Sequence, residues 1–583
     1  MQFRPRGAQG EKPFEPRHPP HGFDQREQPQ ANREALRVRQ AMTRIHRFCP
    51  AGGIGIGQQQ FHRLPIRTAK HQAARAAPDL RPRRTPRGFP GAQQIARRDG
   101  GGFLRREGDG VGQRAIAAWD DPDRAGHAPP FWTGWRRRAS HDLPVPLDAG
   151  HGRGTLCVMT DIADLTASEA ARRIAAGSLT ATALAEACLA RITAREPEVR
   201  AFAWLDPALV RRGAAAMDKG GPPAPLKGIP FGVKDVLDTA DMPSQYGSPI
   251  WAGHRPRSDS AAVAMARAAG ALIIGKTITT EFATRHPGAT TNPANKHHTP
   301  GGSSSGSAAG VAAGFFPLAF GTQTGGSIIR PAAFCGVVGF KPSFGAIHRG
   351  GMKVMSESHD TIGVMARSVA DCALSMGAMT GRDYGNPEAK LPRAPRLAFT
   401  LGPPAAKAAP ETLALLEHAM AACRKAGAEV VEITLPEVMT EAFDAHEYVT
   451  NMEGLQSLGW ELAAARPQLS DVIKEKLDWA KRFPTAQLDA CKLVQAKARA
   501  ALPGAIEGFD AVITASAAGE APAGIGWTGD AAFNSLWTLL HGPCVTVPAG
   551  AGPKGLPLGV QIAGRIGEDA KVLAIGEWVK QAL

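Results

Sequence analysis

Pro300-Gly-Gly-Ser-Ser-Ser-Gly-Ser-Ala-Ala309, Gly321-Thr-Gln-Thr-Gly-Gly-Ser327 and Gly339-Phe-Lys-Pro-Ser-Phe-Gly345 lie close together in this 583-residue chain. Runs of Gly and Ser are usually flexible linkers. Here the first run leads straight into Ala308–Gly321, a nearly apolar stretch of 14 residues, and Gly-Gly-Ser returns 24 residues after the first serine. A spacer has no use for either feature, so the linker reading is set aside. Gly302-Ser-Ser-Ser-Gly306 also fits the GxSxG nucleophile elbow, but that motif needs a buried strand just before its serine. Thr291-Asn-Pro-Ala-Asn-Lys-His-His-Thr-Pro300 is turn chemistry instead, and the elbow is rejected.

Outward from this stretch, strands and helices alternate. Gly228-Ile-Pro-Phe-Gly-Val233 reads as a strand that delivers Lys234 at its end. Thr166-Ala-Ser-Glu169 is a capping box ahead of a helix over 170–176, and a second helix over 180–195 carries Leu184, Cys188 and Ile192 on one stripe. A helix over 262–269 precedes a short buried strand at 271–274, and 396–399, 429–433 and 511–514 are further strands. This alternation predicts an α/β fold with a mixed or mostly parallel sheet. Residues 383–505 read as more helical and polar, a cap over the site.

Taken together, the Gly-Gly-Ser-Ser element, Thr-Gly-Gly-Ser327, Lys-Pro-Ser-x-Gly, Gly228-Ile-Pro-Phe-Gly-Val-Lys-Asp235, Asp360-Thr-Ile-Gly-Val-Met-Ala-Arg-Ser-Val-Ala-Asp371 and Gly555-Leu-Pro-Leu-Gly-Val-Gln-Ile-Ala-Gly564 resemble the amidase signature family. The resemblance covers residues 159–583. It implies a central mixed sheet flanked by helices on both sides. It also implies a hydrolase of carboxylic amides with Ser327 as nucleophile, Ser303 (after a cis peptide bond) as bridge and Lys234 as base. The backbone N–H groups of Thr324, Gly325, Gly326 and Ser327 would form the oxyanion hole. It implies no cofactor and no metal, a small-molecule amide as substrate, and a homodimer. Two alternatives remain beside a stand-alone amidase. One is the glutaminase (A) subunit of a tRNA-dependent amidotransferase, which passes ammonia to a partner. The other is a catalytically silent binding relative.

The chemistry is physically coherent. A serine hydroxyl is a weak nucleophile until a base takes its proton. A lysine serves as base only when neutral, so burial must lower its pKa from about 10.4. A hydroxyl between them can relay the proton, since it donates and accepts. A lone lysine after a strand is more often a solvated charge, and the adjacent Asp235 could instead hold Lys234 in an ion pair. Adjacent His297 and His298 lack the i, i+4 spacing of helical metal ligands. Two departures from the family's pattern stand out: Gln323 occupies a position commonly Asp, and Ile329 one commonly Arg. Losing both members of a buried pair can be nearly neutral where losing one is not, so the double change reads as compensated. Ser305, in place of a usual glycine, bears on local backbone angles only. The residues that choose the amide are expected from 383–505 and from the loop Gly519–Phe533.

The formal net charge of +15 would ordinarily point to nucleic acid or a membrane surface. Residues 1–158, however, hold 28 Lys+Arg against 14 Asp+Glu, whereas the rest holds 40 against 39. The excess belongs to a segment with 26 Arg and 2 Lys that keeps no helical or strand period. Such a segment reads as disordered. It is a basic arm, a transit segment, or upstream sequence before a true start at Met159, and the last is favoured. The remainder gives no reason to expect a nucleic-acid or membrane partner. Eight scattered cysteines without a CxxC pair fit reduced thiols in a cytoplasmic protein.

Overall fold

The computed structural model describes residues 161–583; the segment 1–158 and the expected start at Met159 lie outside the described residues. The capping box forms as read. Thr166 Oγ1 accepts from Glu169 N at the head of a helix over Ala167–Ala175, and Thr180 caps the next over Ala181–Val199 in the same way. That second helix runs beyond the expected end at 195, through Pro197, and closes on Arg200 in the left-handed region.

Eleven strands form one sheet: β1 (Phe202–Trp204), β2 (Pro230–Lys234), β3 (Leu272–Thr277), β4 (Leu318–Gln323), β5 (Val338–Lys341), β6 (Thr361–Ala366), β7 (Arg396–Phe399), β8 (Glu429–Glu432), β9 (Ala511–Ala515), β10 (Cys544–Ala551) and β11 (Pro557–Ala563). Their order is β1-β3-β2-β4-β6-β5-β10-β11-β9-β7-β8. The sheet is mixed and not mostly parallel. Parallel pairing is confined to β3-β2-β4 and β9-β7-β8, while the middle strands pair antiparallel. The reason lies in the connections: β10 and β11 are joined by a short turn, which permits only antiparallel pairing. Strands β2, β3, β4, β5 and β6 are buried along their whole length, and their mostly apolar runs carry polar side chains chiefly at the strand ends.

The segment 383–505 divides. Residues 396–399 and 429–432 join the sheet as β7 and β8 with a helix over Pro410–Lys425 between them, and from Glu437 to Ala505 the segment is helical without further strands. The quoted serine stretch folds as a loop entering the helix α1 (Ser305–Ala312), with no strand before it. The middle serine of the apparent elbow, Ser304, is fully buried, and its hydroxyl is 3.3 Å from Thr322 O and 3.2 Å from Thr322 N. It ties α1 to β4. The small residues of α1 are needed for contact. A Cβ at Gly306 would sit 2.1 Å from Ala201 O and 2.5 Å from Ile278 N, and one at Gly310 would sit 2.1 Å from the Phe316 ring. Since Gly306 would collide with backbone, Gly306→Ala is expected to lower stability by about 1–3 kcal/mol, as overpacked cores do, measured by denaturant unfolding.

Candidate active site

Lys234 ends β2, and its side chain is fully buried. Its Nζ lies 2.7 Å from Ser303 Oγ, 2.6 Å from Thr322 Oγ1 and 3.3 Å from Thr322 O. Asp235, its neighbour in sequence, does not pair with it. That carboxylate lies 2.9 Å from Nζ of Lys276, another buried lysine, which also donates to Leu237 O and Ser244 Oγ. Lys234 is left without a carboxylate at ion-pair distance among the described residues. Burial pulls its pKa down to about 7, with the charge of Asp360 acting the other way.

Ser303 follows Gly302 through a cis peptide bond and is itself buried. Ser327 lies on the wall of a cavity of about 450 Å³. It is 8% exposed, and its hydroxyl has no hydrogen-bond partner among the described residues.

The turn that carries Ser327 is held by its carbonyls. Thr324 O accepts from His446 Nε2 at 2.9 Å, Gly325 O from Thr538 Oγ1 at 2.5 Å, and Gly326 O from Arg330 N at 3.0 Å. The three donors come from three helices: α3 (Glu437–Ser457), α4 (Ala532–Leu539) and α2 (Ile329–Cys335). A peptide group is planar and trans, so a carbonyl fixed on one side sets the following N–H on the other. The amides of Gly325, Gly326 and Ser327 are therefore oriented, and they meet no acceptor among the described residues. Gly326 also has no room for a side chain, since a Cβ would lie 2.3 Å from Asn534 Oδ1.

The two departures are accommodated in the same place. Gln323 Oε1 accepts from Ile328 N at 2.8 Å and Ile329 N at 3.0 Å, while its Nε2 donates to Thr538 Oγ1 at 2.9 Å. One neutral amide satisfies the amides that open α2. Ile329 packs among Ala398, Met439, Leu536 and Trp537, so no charge remains to be paired there.

The residue profile of the amidase family matches residues 183–573 of this chain. The chain belongs to the amidase signature family. Relatives of this chain include a Chloroflexus aggregans protein named as the A subunit of glutamyl-tRNA(Gln) amidotransferase. It is 42% identical over 307 residues, 48% of this chain and 62% of that protein. A protein of the same name from Dinoroseobacter shibae is 32% identical over 488 residues, 73% of this chain and 98% of that one. The chain spans less than two thirds of the first of these relatives. Among solved structures, the native peptide amidase of Stenotrophomonas maltophilia superposes with a TM-score of 0.61 at 30% identity. The alignment covers 72% of this chain and 96% of that one.

Several residues around this site had no assigned role in the sequence. Thr322 receives Lys234. Asp360 accepts from Thr324 Oγ1 at 2.6 Å and from Met355 N and Ser356 N. Arg330 is buried, donates to Gly302 O and Thr528 O, and keeps Nη1 without a partner. In α3, Phe443, His446, Glu447, Thr450 and Asn451 line the cavity at helical spacing. That i, i+3, i+4, i+7, i+8 stripe was the available signal. Lys407, Lys476 and the loop 527–532, within the two segments expected to face the substrate, add to the wall, while Ala283, Thr284, Arg285, Met355 and Ser535 complete it from outside those segments. Among the described residues no group of His, Cys, Asp or Glu is placed to hold a metal, and no helix is long and apolar enough to cross a membrane.

Turnover should rise with pH along a limb centred near 7, because protonated Lys234 cannot accept a proton and neutral Lys234 can; a pH profile of kcat/KM checks this. Gln323→Leu strips two buried N–H groups of their acceptor. It is expected to cost about 1–3 kcal/mol for each, read by thermal unfolding.

Proposed function

We propose that this amidase hydrolyses a carboxylic amide through an acyl-enzyme on Ser327. Ser327 Oγ attacks the carbonyl carbon as its proton passes to Ser303 and Lys234. The amides of Thr324, Gly325, Gly326 and Ser327 receive the developing oxyanion, a stabilisation worth about 3–4 kcal/mol per donor in comparable sites. Collapse of the tetrahedral intermediate breaks the C–N bond, and the departing ammonia or amine takes up the proton. Water then attacks the ester by the same route in reverse and releases the acid. The observation that carries this reading is Lys234: a fully buried lysine, with no carboxylate partner, on the hydroxyl of Ser303.

The names of the relatives favour glutamine as the amide, and the glutaminase component of an amidotransferase as the role. The cavity supports an amide that also bears a carboxylate. Its wall carries four cations and three carboxylates; Arg285 lies 3.5 Å from Glu447 and Lys407 2.8 Å from Asp530, which leaves Arg330 and Lys476 without a carboxylate at ion-pair distance among the described residues. Lys476 donates to Asn451 Oδ1 at 3.2 Å, and burial lowers its pKa to about 8. Gln323 does not weigh against this role, because its amide satisfies the turn without a charge.

Full-length chain treated with a fluorophosphonate should gain a single adduct by intact mass. Ser327→Ala should gain none, and Lys234→Ala should react slowly. An unlabelled, folded parent would overturn the acyl-enzyme and favour a silent binding protein. Glutamine, a C-terminal peptide amide and a simple aliphatic amide, each assayed with and without candidate partner proteins, then separate the roles. Glutamine turnover that depends on a partner supports the amidotransferase role, and partner-independent turnover of another amide supports the stand-alone enzyme.

A further inference from the structure

We infer that His446, in the helical layer, is a positioning residue for the oxyanion turn; this rests on the acyl-transfer reading of Ser327. Thr324 O can only accept, so the proton of the neutral imidazole sits on Nε2 and the lone pair on Nδ1. Among the described residues His446 is the one donor to that carbonyl. The same peptide plane carries the N–H of Gly325, which belongs to the turn that must meet the oxyanion. Two glycines follow Thr324, and glycine backbone is the least restrained of any residue. Without a clamp on Thr324 O, nothing in the local sequence fixes where the Gly325 amide points.

The surroundings of His446 suit a clamp. Its ring stacks on His359 at 4.5 Å between centroids and 13° between planes. His359 is buried and held through Ser356, Thr450 and Gln495. Burial keeps His446 neutral, with its pKa lowered to about 4. Thr324 is gripped from its other end as well, because its hydroxyl donates to Asp360. The loop bearing Asp360 is in turn bound to α3: Glu453 accepts from Ser356 Oγ at 2.6 Å, Ser358 N at 2.9 Å and Ser358 Oγ at 2.6 Å. His446, Thr450 and Glu453 lie at i, i+4 and i+7, one face of the helix. One helix face thus holds both ends of Thr324, directly through His446 and indirectly through Glu453.

The test compares the parent, His446→Ala and His446→Gln in the full chain. Thermal unfolding, the fluorophosphonate labelling rate and steady-state kinetics are measured on the amide the parent turns over best. A glutamine side chain can bring an N–H to nearly the position of Nε2. His446→Ala is expected to lower kcat and the labelling rate about 10–100-fold with KM within about threefold, below the 10²–10³-fold cost of deleting an oxyanion donor outright. His446→Gln should recover most of that loss. Parent-like kcat in a folded His446→Ala, or a glutamine variant no better than alanine, would overturn the inference while leaving Ser327 as nucleophile. A folded parent that takes no label overturns the acyl-enzyme reading and the inference with it.

Discussion

A lysine ammonium buried with no counter-charge is the constraint around which the rest of this protein is arranged. Removing such a group from water costs several kcal/mol even after relaxation, and the fold meets that cost by letting the amine become neutral. Everything near Lys234 is consistent with this. Its partners are the hydroxyls of Ser303 and Thr322 and a carbonyl. The one adjacent carboxylate, Asp235, is diverted to Lys276, which is buried with it. Had Asp235 turned toward Lys234, the pair would have stayed charged and the amine would have lost its lone pair. Two lysines at the ends of neighbouring parallel strands, β2 and β3, thus divide the work, one paired with a carboxylate, the other without one and shifted by burial toward the neutral form.

A second constraint acts on the turn 324–327. Its N–H groups are useful only if they stay unpaired and fixed, conditions that ordinarily oppose each other because free amides belong to loose chain. Planarity of the peptide resolves the conflict. Each plane is pinned through its carbonyl, by His446, Thr538 and the Arg330 amide, leaving the N–H on the opposite edge. Gln323 belongs to the same device, since it holds the next two amides and also donates to the Thr538 hydroxyl. A neutral side chain in a position commonly held by aspartate is thereby understandable: what the turn requires is an acceptor, and an amide supplies one without a charge to balance.

The helical layer is then part of the site as well as a cover for it. Its helix α3 gives the cavity Phe443, Glu447 and Asn451 on the same stripe that carries His446. A change of substrate-facing residues on this helix therefore sits one turn away from the residue that steadies the oxyanion turn, which couples specificity to catalysis through a single rigid element.

The sequence by itself determined the family, the α/β class, the capped first helices, the strand that ends on Lys234 and the identity of the serine stretch, because those features are local: periodicity, caps, and glycines at fixed spacing. It also excluded the GxSxG elbow from the turn chemistry before Ser303, and Ser304 is indeed a tie between α1 and β4. What only the tertiary structure decided are pairings across long separations. Asp235 had two possible lysines, and only the register of β2 on β3 places Lys276 beside it. The sheet could have been mostly parallel, and the short β10–β11 connection makes its middle antiparallel. Within 383–505 the strands at 396–399 and 429–433 were legible as short apolar runs, but their place side by side at one edge of the sheet was not. His446 and Thr538 carry no motif of their own, and Asp360 opens one that gave it no role. They acquire a role because two helices and a loop far apart in the chain close on two consecutive carbonyls and one hydroxyl, a coincidence in space that no sequence window contains.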